Sequence, residues 1–62
     1  MALVVIKTKE GVPVYDIYQN SYPSEIFVNR PLKILFENDD YVSVDAHGVI
    51  LKFFKSQIDR YL

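Results

Sequence analysis

Sixty-two residues are enough for one domain, and a domain of that size buries only roughly 60% of the surface its unfolded chain exposes. No cysteine is present, so neither a disulfide nor a thiolate-held metal can supplement the core, yet half of the residues are hydrophobic, enough to build a core without staples. Seven basic side chains against eight acidic ones leave a formal net charge of −1, which lacks the basic face that sequence-independent nucleic-acid binding uses.

Ala2-Leu3-Val4-Val5-Ile6 opens the chain as an apolar run that Lys7 interrupts. It has no basic n-region and is shorter than the apolar stretch of a signal peptide, so it reads as a buried first strand over Leu3–Thr8. No stretch approaches the ~20 apolar residues of a membrane span, and the cysteine-free composition fits the cytoplasm. Lys9-Glu10-Gly11 forms a turn. Val12-Pro13-Val14-Tyr15-Asp16-Ile17-Tyr18 follows as an edge or irregular strand, because Pro13 cannot donate to a ladder. The polar stretch Gln19–Glu25 has no apolar period and reads as a loop, with a short strand expected at Ile26-Phe27-Val28.

Pro31 then stands at the entrance to the next strand, where its missing N–H matters least. Three alternating segments follow in close succession: Leu32–Phe36, Tyr41–Val44 and Val49–Phe54. The connections Glu37-Asn38-Asp39-Asp40 and Asp45-Ala46-His47-Gly48 leave room only for hairpins, so these strands form an antiparallel meander. Leu32, Ile34 and Phe36 are expected to point inward, as are Val42, Val44 and Ala46, with Tyr41, Ser43 and Asp45 outside. Gly48 supplies the positive φ of the second hairpin. Val49–Phe54 is apolar on both faces, which implies cover from both sides or a face left for a partner.

Phe54, Ile58, Tyr61 and Leu62 fall on a helical stripe, with Ser56 as a candidate N-cap. A run this short is marginal as a helix, so one helical turn within Lys55–Arg60 and a final strand at Arg60–Leu62 are expected. The expected core comprises Val4, Ile6, Val14, Leu32, Ile34, Val42, Val44, Leu51 and Ile58.

Little in this chain points to catalysis. His47 is the single histidine and sits in a predicted turn without a nucleophile beside it. Asp39, Asp40 and Asp45 lack the spaced series ending in glutamate that a calcium loop needs, and they read as polar hairpin turns. With only Gly11 and Gly48, no glycine-rich phosphate loop exists. Neither an enzyme activity, a metal nor a cofactor is expected.

The order of strand, long irregular loop, three-strand meander, helical turn and short last strand resembles an SH3-like (Src-homology-3-type) barrel, in particular its bacterial form. Gly11-Val12-Pro13-Val14-Tyr15 resembles the strand entering the long loop, and Glu37–Val44 the turn and strand where bacterial members carry asparagine, glycine and tryptophan. His47-Gly48-Val49 resembles the following hairpin, and Asp59-Arg60-Tyr61-Leu62 the closing tyrosine-containing strand. Here Tyr41 stands in place of tryptophan, and Leu51-Lys52-Phe53 in place of a second glycine-tryptophan-valine. The resemblance implies an all-β, partly open barrel of about five strands. It also implies a groove that brings Tyr15 or Tyr18 near Tyr41, with Tyr61 at its base.

Two binding modes follow. In the first, a protein or peptide partner is held by exposed tyrosines, drawn from Tyr15, Tyr18, Tyr22 and Tyr41, because aromatic side chains dominate binding hot spots. Glu37, Asp39 and Asp40 form an acidic rim that attracts a partner with a basic surface. In the alternative, Lys52, Lys55 and Arg60 interleaved with Phe53, Phe54 and Tyr61 hold nucleic acid by stacking and charge, against which Asp59 and the net charge stand. The small size and the lack of an active-site pattern suit a cytoplasmic adaptor or inhibitor, such as one of phage or prophage origin acting on a host protein.

Overall fold

A computed structural model describes residues 2–62. The chain is all-β. Its strands are β1 (Leu3–Ile6), β2 (Val14–Tyr15), β3 (Ser21–Tyr22), β4 (Leu32–Glu37), β5 (Tyr41–Ala46), β6 (Val49–Phe54) and β7 (Ile58–Tyr61). Five of them make an antiparallel sheet in the order β6-β5-β4-β1-β7, and β2 and β3 pair as a separate ribbon. Single 3₁₀ turns lie at Ser24–Ile26 and Lys55–Gln57.

The hairpins follow from local chemistry. Ala46 pairs with Val49 across a two-residue loop in which both His47 (φ 57°) and Gly48 (φ 92°) take positive φ. That backbone matches the right-handed twist of the flanking strands. Asp45 steadies the loop by accepting the Gly48 N–H at 2.8 Å. In the β4–β5 connection the Asn38 carboxamide oxygen accepts the N–H groups of Asp40 and Tyr41 at 2.8 and 2.9 Å. The side chain thus takes the place of a backbone acceptor in the turn.

The core gathers Val4, Ile6, Val14, Leu32, Val42, Val44, Leu51 and Ile58, all expected, with Ile34 partly buried against them. Phe27, Phe53 and Ala46 join them, and Phe53 and Phe27 meet edge to face with ring centroids 5.3 Å apart. Val5 is also buried, on the opposite face of β1.

Five local expectations are corrected. Phe36 points outward and is 53% exposed, because Leu35 is an extra residue in β4 between the pairs Ile34–Val44 and Phe36–Ser43. One inserted residue moves everything beyond it to the other face. Ser43, expected in solvent, is buried, since its cross-strand partners Phe36 and Lys52 flank a small side chain on that same face. Ile26-Phe27-Val28 is not a strand: the N–H groups of Phe27 and Val28 bond the Ser24 carbonyl at 2.9 and 3.0 Å, so the backbone turns where it would have to extend. At the C-terminal turn the cap is Phe54 rather than Ser56, with the Phe54 N–H donating to Gln57 Oε1 at 2.9 Å. The closing strand accordingly begins at Ile58, two residues before the expected Arg60.

β6 resolves the question raised by its two apolar faces. Of the face expected to hold Val49, Leu51 and Phe53, Leu51 and Phe53 are in the core but Val49, beside the hairpin loop, is 58% exposed, whereas Ile50 and Phe54 on the other face remain 65% and 44% exposed. The outer face of the meander is therefore uncovered there. No helix of the described residues is long and apolar enough to cross a membrane.

Candidate functional site

A buried carboxylate shapes the loop that carries the first tyrosines. Asp16 is only 4% exposed, and its Oδ1 accepts the N–H groups of Tyr18 and Asn20 at 2.9 and 3.0 Å. Its Oδ2 accepts the Asn20 carboxamide at 3.3 Å and the Tyr22 hydroxyl at 3.0 Å. Burial pushes the Asp16 pKa up, but the bonds from Asn20, Tyr22 and Tyr18 outweigh it and hold the carboxyl below its ordinary value. Burial together with the adjacent carboxylate raises the Tyr22 hydroxyl. Tyr22, one of the expected binding tyrosines, thus has a structural role, with its ring against Phe27 at 6.5 Å.

The same loop docks on the edge of β6, where the Ile17 N–H donates to the Lys52 carbonyl at 3.0 Å. This brings Tyr18 over Lys52. The Lys52 ammonium donates to the Tyr18 hydroxyl at 3.3 Å and lies 5.8 Å from the Tyr18 ring centroid. It also lies 5.3 Å from the Tyr41 ring centroid. The Tyr18 hydroxyl and the nearby tyrosine oxygens raise the Lys52 pKa, so the group is cationic at neutral pH.

Tyr41 begins β5 and pairs across the strands with Phe54, while its ring tilts against Phe36 at 6.1 Å. Gln57 holds the other end: its Nε2 donates to the Tyr15 carbonyl at 2.6 Å while its Oε1 accepts from Phe54. A strip of exposed aromatic surface results. Tyr15, Tyr18, Phe54 and Phe36 are 47%, 64%, 44% and 53% exposed, with Tyr41 half-buried among them.

The expected meeting of Tyr18 with Tyr41 therefore exists, mediated by Lys52. Tyr15 is tied to Phe54 through Gln57 by their backbones, not by its ring. Tyr61 is set apart: its hydroxyl donates to Glu37 Oε2 at 2.9 Å, beside the Lys55 ammonium that pairs with the same oxygen. The Lys55 and Tyr61 hydrogen bonds pull the Glu37 pKa down, and Glu37 in turn raises Lys55. Tyr61 is raised by burial first and then by Glu37. Glu37 is thus neutralised within the chain and is not a free rim charge, as the acidic-rim expectation required. Asp39 and Asp40 are exposed at the hairpin tip and join no ion pair among the described residues.

Phe36, Lys52, Phe54 and Gln57 belong to this surface and were not assigned to it from sequence. Lys52 and Phe54 were legible in principle, since strict alternation in β6 places both opposite Leu51 and Phe53. Among the described residues no group of three or more histidine, cysteine or acidic side chains is placed to hold a metal. No protein-family model matches the chain, and neither does any curated protein or solved structure.

Proposed function

We propose that this chain is an SH3-like barrel that works as a non-catalytic binding module for a protein or peptide segment, with the aromatic strip as its contact surface. The convergence of Tyr18 and Tyr41 on Lys52, from two different hairpins, carries the reading. Burying apolar side chains is what stabilises so small a domain, yet Tyr15, Tyr18, Phe36 and Phe54 are left in solvent. Contiguous exposed aromatic surface of that kind is characteristic of interaction sites. The sheet order β6-β5-β4-β1-β7, with the β2–β3 ribbon inserted after the first strand, supports the barrel assignment. Asp39 and Asp40 at the tip steer a partner with a basic surface toward the strip. In this reading the module acts in the cytoplasm as an adaptor or inhibitor, of phage or prophage origin, on a host protein.

The discriminating comparison is Tyr41→Ala against Lys55→Ala, with folding of both checked by circular dichroism. For a partner captured from a lysate, Tyr41→Ala is expected to weaken binding by about 2 kcal/mol or more. Lys55→Ala is expected to leave it nearly intact, because Lys55 is already engaged with Glu37. The opposite ranking would move the site to the C-terminal basic and aromatic residues.

A further inference from the structure

Lys52 occupies an unusual position for a cation. Its ammonium lies at the tip of the Tyr18 hydroxyl and 5.3 Å from the Tyr41 ring centroid, and among the described residues its only hydrogen bond goes to that hydroxyl. No carboxylate pairs with it: among the described residues the ion pairs are Lys55–Glu37 and Arg60–Asp59. In the free chain, water reaches the half-buried ammonium and satisfies its remaining donors. A partner covering Tyr18 and Tyr41 removes that water. An ammonium enclosed by a partner without an anion is strongly unfavourable, and the Tyr18 hydroxyl and the Tyr41 ring recover only part of its hydration.

We infer that the segment bound by this strip carries a carboxylate, an aspartate or glutamate side chain, that seats on Lys52 between Tyr18 and Tyr41. The inference rests on the proposed binding surface and specifies its ligand. The surroundings set the polarity of that ligand. Lys7 and Lys9 line the cleft beside Tyr15 and Gln57, whereas Asp39 and Asp40 are exposed at the β4–β5 tip, next to Tyr41 in the chain. A dipolar peptide matches this arrangement, with its carboxylate over Lys52 and its cationic residue toward the β4–β5 tip. A nucleic-acid strand matches it poorly, because successive phosphates would run past Asp39 and Asp40 on a chain of net charge −1.

A random heptapeptide display library selected on the immobilised domain tests this directly. Selected peptides are expected to share one acidic residue flanked by apolar or aromatic residues. Replacing that residue by its amide in a synthetic copy is expected to weaken binding about tenfold. Against Lys52→Met, which keeps the apolar stem, the two copies should bind within about twofold of each other, whereas Lys52→Arg should keep most of the difference. Selected peptides that need Tyr18 but have no acidic residue, or whose acid-to-amide change is equally costly on Lys52→Met, would overturn the carboxylate assignment and leave the binding surface standing. If selected peptides bind Tyr18→Ala and Tyr41→Ala as well as the native chain, or if the library yields none, both readings fall. Binding of a dT12 oligonucleotide that shifts the Tyr18 and Tyr41 resonances, with no peptide doing so, would assign Lys52 to phosphate instead.

Discussion

Asp16 offers the sharpest test of how the loop holds its tyrosines. Asp16→Ala removes the acceptor of two backbone N–H groups, those of Tyr18 and Asn20, and of two side-chain donors, Asn20 and Tyr22. Water can reach the exposed Asn20 side chain once the carboxylate is gone, so the loss comes from the two N–H bonds to Oδ1, with a smaller share from the half-buried Tyr22 hydroxyl. At about 1.5 kcal/mol for each bond to a charged acceptor, the expected destabilisation is about 3 kcal/mol. A chain of this length has a total stability of only about 3–9 kcal/mol, so the variant should approach the limit of folding. Asp16→Asn keeps the Oδ1 acceptor and should lose about 1 kcal/mol. Urea titrations followed by circular dichroism measure both, with an unchanged m-value as the check that the same surface unfolds. The pH dependence is a second signature. The folded Asp16 pKa lies below its ordinary value of 3.8, so its stabilisation is complete above that pH and disappears as pH falls through the folded value. The gap between the native chain and Asp16→Asn should therefore be widest near neutrality and close in strong acid. If Asp16→Ala lies within about 0.5 kcal/mol of the native chain, the carboxylate does not organise the loop.

Phe53 is fully buried against Phe27, so Phe53→Ala is expected to destabilise by about 3–5 kcal/mol in the same urea assay, enough to unfold much of the population at room temperature. His47 takes positive φ in a two-residue hairpin loop, a conformation asparagine adopts more readily, so His47→Asn should stabilise by about 0.5 kcal/mol and raise the thermal midpoint by a few degrees. Glu37→Gln removes the exposed ion pair with Lys55, and its urea midpoint should be indistinguishable from that of the native chain at moderate salt.

The meander was legible because its information is local. Val42, Val44 and Ala46 alternate with Tyr41, Ser43 and Asp45, and His47-Gly48 spans the two-residue loop that sets the β5–β6 register. The same alternation in β6 set Val49, Leu51 and Phe53 against Ile50 and Phe54, which holds for all but the exposed Val49 beside the hairpin loop. The all-β class and most of the core follow from such patterns. Phe36 escaped this logic because a bulge at Leu35 is fixed by how β4 meets β5, and the alternation of β4 alone carries no sign of it. Asp16 reads as an ordinary loop acid in sequence; its burial depends on the Tyr22 hydroxyl arriving from the opposite strand of the ribbon. The aromatic strip is the most non-local feature of all. Tyr18 meets Lys52 only because the Ile17 N–H finds the free Lys52 carbonyl on the edge of β6. Local propensity shapes strands and turns one at a time, whereas a surface assembled across a sheet edge exists only once the chain has closed on itself.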